Sequence, residues 1–295
     1  MKFYLYGTYI PADQIVAVAR EAESLGFHGI TIPDHVVHPH NSKTSYPYEP
    51  DPDTGRAPWD VSCEWLDPMV AAATLLASTT NLTVLTGIFV LPMRDPLLVA
   101  KAASTVAALH PGRFILGVGA GWLREEFEIL GFNFDERGPR SDEAIEVLRS
   151  LWTGEIVSHN GRFISFPEIT MRPPPPLPIP IYVGGDAKPA IRRAALLADG
   201  ILPPLSSRHE TASHLETIGA IRAENGISRP FDYVASVAGI RTPDKIASMA
   251  EMGVTSVHAD PFGLYVQRYG GLTSDERRAA LERYAAEVIE PSRGI

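Results

Sequence analysis

The sequence predicts a (β/α)₈ barrel. Short apolar runs rich in Val, Ile and Thr alternate with stretches of helical periodicity, eight times over. Several of these runs end in glycine or in a polar pair, as strands do where they feed a functional rim. No break in composition marks a second domain. One domain over residues 1–295 is therefore expected, with insertions near 36–66 and 155–178.

The elements follow in order. KFYLYG (2–7) reads as the first strand, and Asp13 to Leu25 as the first helix, with Ile15, Ala19, Ala22 and Leu25 on one face. His28 to Pro33 is the second strand and ends in Asp34-His35, on the catalytic rim of a barrel. Regularity is then lost over residues 36–66. A loop of that length in an enzyme is usually a lid, and Tyr46, Tyr48, Trp59 and Trp65 favour an ordered one. Asp67-Pro68 supplies a carboxylate N-cap and a proline at the first helical position of a helix ending near Thr80.

The stretch from Asn81 to Glu126 reads strand, helix, strand, Gly-rich loop, helix. Leu82 to Phe89 is apolar enough for a strand covered on both faces. Asp95-Pro96 starts a helix carrying Leu98, Val99, Ala102, Val106 and Leu109 at helical spacing, and His110-Pro111-Gly112 stops it. Arg113 to Val118 is the next strand, and Gly117, Gly119 and Gly121 open the loop after it. A glycine-ended strand that feeds a helix is a candidate anion or cofactor site.

Pro139 to Trp152 is an amphipathic helix, and Ile156 to Phe166 a hairpin around Asn160-Gly161, outside the alternation. A proline-rich connector leads to strand Ile179 to Val183, after which Gly184-Gly185-Asp186 opens a helix ending near Ala198. Strands at Asp199 to Leu202, Phe231 to Gly239 and Thr255 to His258 follow. Between them lie helices at Arg208 to Asn225 and from Thr242-Pro243 to Gly253. Thr273 and Glu276 have capping-box spacing before a last helix, Asp275 to Ile289.

A formal net charge of −9 argues against a nucleic-acid or anionic-membrane surface. No apolar run reaches membrane-spanning length, and Met1 leads straight into a strand, so a cytoplasmic protein is expected. Cys63 is the only cysteine, which leaves no intrachain disulfide and no multi-cysteine metal site. His38 and His40 with Asp51 and Asp53 fit no zinc or iron spacing, so no metal is expected. GVGAGW lacks the dinucleotide-binding register. Tyr6, Tyr9, Trp59, Trp65 and Trp122 are candidates for an apolar substrate pocket, and half of them for plain core. Arg137, Arg140, Asp142 and Glu143 read as a structural charge cluster at a helix start.

Several stretches together carry a family resemblance: SLGFHGITIPDHV, YPYEPD, DPMVAAATLLAS, TGIFVLPMRDPLLVAKAASTVAALHPGRFILGVGAGWLREEFEILG, RGPRSDEAIEVLRSLWTGE and IPIYVGGDAKPAIRRAALLADG. Over about residues 1–203 the chain resembles the bacterial luciferase-like superfamily, and within it the oxidoreductases that use the deazaflavin coenzyme F420. The resemblance implies the barrel, a cofactor across the carboxyl ends of its strands, and hydride transfer to or from a small organic substrate. His35 becomes the catalytic candidate, either protonating substrate or orienting the cofactor. Asp34, Thr86, Gly87, Ile88, Ala120, Gly121, Trp122, Glu125, Gly184, Gly185, Asp186 and Ala187 become cofactor-binding candidates, with a non-proline cis peptide expected at Gly87-Ile88.

The same motifs also fit an FMN-dependent monooxygenase using reduced flavin and O₂, so FMN is the alternative cofactor. A catalytically idle flavin-binding or partner-binding homologue is a third reading. The resemblance further implies a homodimer and a flavin or F420 reductase or dehydrogenase that supplies reduced cofactor. Two departures stand out. Trp122 occupies the place of an acidic catalytic residue in the sugar-phosphate dehydrogenase branch, so that oxidation is not supported. Asp186 sits where a small residue suits an anion, so its carboxylate either turns away to cap the helix or weakens the phosphate contact. Lys188, Arg192 and Arg193 nearby favour the oligoglutamate-tailed coenzyme over FMN.

Overall fold

In the computed structural model the described residues are 1–48, 57, 59, 62–236, 242–268 and 270–295. The elements run β1 (Lys2–Tyr6), α1 (Ile15–Ser24), β2 (Gly29–Ile32), α2 (Pro68–Ser78), β3 (Thr83–Thr86), β4 (Phe89–Val90), α3 (Pro96–Leu109) and β5 (Phe114–Gly119). Then come α4 (Arg124–Ile129), α5 (Arg137–Leu151), β6 (Val157–Asn160), β7 (Ser165–Ile169), β8 (Ile181–Gly184), α6 (Lys188–Leu197) and β9 (Gly200–Leu202). The chain finishes with α7 (Arg208–Glu224), β10 (Asp232–Ala235), α8 (Pro243–Glu251), β11 (Ser256–Ala259), α9 (Pro261–Tyr265) and α10 (Ser274–Tyr284).

Eight parallel strands, in the order β3-β2-β1-β11-β10-β9-β8-β5, close into a barrel through a β3–β5 pairing. The predicted fold is the observed one. Helices surround the barrel, and the main core lies between the strands and the helices, where Leu75, Ala100, Leu148, Ala194, Ile246 and Leu281 are buried. A second, smaller core fills the barrel itself with Tyr4, Leu85, Ile115, Tyr182, Leu202 and Val234. Two tyrosines in it face glycines on the neighbouring strand: Tyr4 pairs with Gly29 and Tyr182 with Gly200. A Cβ on either glycine would lie 2.7 Å from the tyrosine ring, so the large residues depend on the small ones.

Three caps act as the sequence indicates, whereas Thr242, expected to cap the helix it starts, precedes α8 without a side-chain cap bond. Asp67 accepts from the Met69 and Val70 amides, Asp95 from Leu97 and Leu98, and the Thr273–Glu276 capping box forms. The hairpin is β6–β7, antiparallel and outside the barrel. Glu143 of the charge cluster holds it, accepting from the Phe163 and Ile164 amides at 2.8–3.1 Å.

Three boundaries differ from expectation. The run Leu82–Phe89 is two strands, not one. Leu85 pairs with Ile115 and Phe89 with Val118, so four steps on one strand face three on β5, which is a bulge. The strand expected over 231–239 is β10, Asp232–Ala235, and residues 237–240 lie outside the described ones. The last helix is α-helical only to Tyr284, after which Ala285–Ile289 widens into a π-type turn.

Candidate active site at the barrel mouth

The bulge builds a ledge at the carboxyl ends of the strands. The Gly87-Ile88 peptide is cis, as the resemblance implies. Thr86 donates its hydroxyl to the Gly117 carbonyl at 2.8 Å, which ties the ledge to β5. The Ile88 side chain reaches across the mouth to β5 and β8. A Cβ on Gly119 would stand 2.7 Å from it, and one on Gly184 closer still, so both positions must be glycine for Ile88 to lie there. Gly121, at φ +83°, passes Val90 and Phe127 where any side chain would collide. Ala120 sits beside it, half-buried.

Beside the ledge, at the end of β2, stands His35. Its Nδ1 lies 2.9 Å from Glu126 Oε2, and the two side chains are 7% and 2% exposed. Glu126 also accepts from the Val36 and Val37 amides, at 2.6 and 3.3 Å, so one carboxylate fixes both the imidazole and the chain that leaves it. Among the described residues His35 Nε2 takes no hydrogen bond. A carboxylate on Nδ1 holds the ring's orientation and leaves Nε2 facing away, placed to exchange a proton with a bound molecule.

Sequence reasoning missed Glu126. The signal lies in the pair Glu125-Glu126 on the first turn after a Gly-rich loop, and only Glu125 was singled out. Glu125 faces the other way. It accepts from the Lys43 and Thr44 amides at 2.6 and 3.1 Å and from the Thr44 hydroxyl at 2.7 Å, anchoring the lid. Burial would raise its pKa, but these donors outweigh burial and hold it below the usual carboxylate range. Asp34 is likewise engaged. Arg94 binds both of its oxygens at 2.7 Å, and the Val90 amide donates to it at 2.8 Å. Its carboxylate shapes the bulge from below.

The candidate aromatics come together over His35. Ring centroids stand 4.8 Å from His35 to Trp65, 5.8 Å to Trp59 and 6.0 Å to Trp122. Tyr46 of the lid closes on Trp59 and Trp122 at 5.0 and 5.1 Å, and Tyr9 links Trp59 to Tyr6. The described aromatics of the loop, Tyr46, Trp59 and Trp65, pack against one another and against His35. Asp51 and Asp53 lie outside the described residues, among which no cluster of metal-ligating side chains occurs.

A second histidine was missed. His258 ends β11 and sits inside the barrel, its Nε2 2.8 Å from Thr31 Oγ1 and its Nδ1 3.1 Å from Ser236 Oγ, with Tyr6 edge-on at 5.0 Å. Burial pushes its pKa down to about 4, so it is neutral at ordinary pH. Thr31 in turn lies under Gly87, 3.1 Å from where a Cβ would be. The rule that singled out Asp34-His35, a polar residue at the carboxyl end of a strand, applies equally to His258.

The turn after β8 forms the remaining wall. Gly185 is at φ +106°, and the Tyr48 hydroxyl of the lid lies 3.8 Å from the place of its missing Cβ. Burial raises the Tyr48 pKa, and the Asp186 charge adds to it. Helix α6 begins at Lys188 with Ala187 as N-cap and no side-chain cap. Asp186 is exposed and does not cap the helix, which removes that explanation for its presence. Of the cations proposed for the groove, Arg193 is 7% exposed and committed to Asp142 and the Gly138 carbonyl. Lys188 and Arg192 are exposed.

The fold is a (β/α)₈ barrel that carries a carboxylate-held histidine and a bulged ledge at its mouth. The family model for luciferase-like monooxygenases matches residues 4–288, and the chain belongs to that family. An uncharacterized protein of Mycobacterium tuberculosis is 38% identical over 243 residues, 82% of this chain and 83% of that one. An F420-dependent glucose-6-phosphate dehydrogenase of Nakamurella multipartita is 31% identical over 193 residues, 64% of this chain and 51% of its own. In structure the chain resembles a monooxygenase from Streptomyces bottropensis (TM-score 0.74, 18% identity, 98% and 99% of the two chains). It also resembles the coenzyme F420 dependent tetrahydromethanopterin reductase of Methanopyrus kandleri (TM-score 0.68, 16% identity, 98% of each chain). Among the described residues no helix is long and apolar enough to cross a membrane.

Proposed function

We propose that this chain is an F420-dependent oxidoreductase acting on a small organic substrate. The observation that carries the reading is His35, fixed by Glu126 beside the Ile88 ledge, with Nε2 uncommitted among the described residues. The residues present fit a deazaflavin ring and its phosphate. Ile88 offers an apolar ledge bounded by Gly119 and Gly184, and Gly185 with the α6 start, which lacks a side-chain cap, suits an anion. A bound deazaflavin supplies hydride transfer at one ring carbon. His35 passes the matching proton at Nε2, and Glu126 stabilises the imidazolium. The tryptophans over His35 exclude water from the exchange.

The test is a fluorescence titration of the purified protein with coenzyme F420 and, separately, with FMN. Tight binding of F420 and weak binding of FMN is the expected result. The reverse assigns the chain to the FMN monooxygenases. Binding of neither overturns both and leaves the idle homologue.

A further inference from the structure

We infer that the aromatic box over His35 selects a compact, mostly apolar substrate that presents a carbonyl-type oxygen to the indole N–H groups of Trp65 and Trp59. The inference rests on the reading of His35 as facing substrate. Its own observation is separate: both indole nitrogens are buried and have no hydrogen-bond partner. Buried donors in folded proteins are almost always paired, because an unpaired one forfeits its water without compensation. Here two unpaired donors fall in one cluster, their rings 5.3 Å apart and each against His35.

Packing does not explain the choice of tryptophan. A purely apolar ring packs against its neighbours without a donor to strand. The closed lid therefore carries a deficit that an acceptor relieves, and the donors prefer a ligand with an exposed lone pair over an equally shaped hydrocarbon. Trp122 and Tyr46, at 5.1 Å from each other, add ring faces and edges but no formal charge, so a flat neutral molecule is favoured over an ionised one. The Glu126 carboxylate that holds His35 is itself occupied by His35 and two amides.

The experiment compares acetophenone with ethylbenzene, two probes of nearly the same shape that differ in the carbonyl. Their binding is measured by calorimetry on the full chain, with and without F420. Wild type is expected to bind acetophenone about tenfold more tightly, the discrimination a buried unpaired donor imposes. Trp65→Phe and the double variant Trp59→Phe/Trp65→Phe keep an aromatic ring but remove the donors, and the ratio of the two affinities is expected to fall to about one. Equal binding by wild type, binding of neither probe, or a carbonyl preference that survives in the double variant overturns the inference. A preference seen in a protein that binds no F420 sustains the box and defeats the cofactor reading. F420 binding without a preference does the opposite.

Discussion

At the scale of single residues the site depends on where each carboxylate is spent. Glu125 and Glu126 are adjacent on one helical turn, yet one holds the lid and the other holds His35. Glu126 accepts from three N–H groups, a load that suits an ionised carboxylate and that a neutral amide cannot carry. In Glu126→Gln the amide oxygen serves the Val36 and Val37 amides, and the NH₂ then meets Nδ1. The ring must accept there, which moves its proton to Nε2 and removes the support for an imidazolium. We expect kcat to fall by about a hundredfold with little change in KM. A variant that lost only thermal stability and kept its kcat would make Glu126 a structural residue.

At the scale of elements, the lid and the ledge are held by different means. The ledge follows from a bulge between β3 and β5, with glycines at the contacts. The lid is held at residues 36–37 and 43–44 by the two α4 glutamates. Glu125→Ala frees the Lys43 and Thr44 amides and detaches that end. Trypsin, which cuts after Lys43, should then cleave there about tenfold faster at pH 7.5, since local opening governs cleavage of a folded chain. An unchanged rate would mean that the aromatic contacts alone retain the lid. The sign of the pH effect follows from the lowered Glu125 pKa. The contribution is complete above the ordinary carboxylate range and is lost as the pH falls through and below it. The sequence made the strands, the caps and the Gly87-Ile88 peptide legible because local chemistry and family pattern specify them. It did not reveal the roles of Glu126, Arg94 and His258. Their partners His35, Asp34 and Thr31 lie 91, 60 and 227 residues away, and only barrel closure brings them together.

For the whole molecule, closure places a titratable group in the half-buried interior of the barrel. His258 comes from the last strand and Thr31 from the second, and their contact spans the barrel interior next to β1. Thr31 can donate to the Leu5 carbonyl at 3.3 Å while accepting from Nε2–H, and Nδ1 can accept from Ser236, which satisfies a neutral ring completely. Protonation would strand the Ser236 hydroxyl and bury a charge, and burial accordingly lowers the pKa to about 4. In the unfolded chain the ring titrates near ~6.5. The unfolded state therefore takes up a proton before the native state does as the pH falls. Stability is full above about pH 6.5 and declines toward pH 4, by up to roughly 3 kcal/mol for a shift of this size. His258→Gln keeps a donor and an acceptor but does not titrate. Urea midpoints at pH 7.5 and pH 5 should differ clearly in wild type and by much less in the variant. An equal gap in both proteins would assign the acid sensitivity elsewhere, His28 first, since burial and then Lys2 lower its pKa as well.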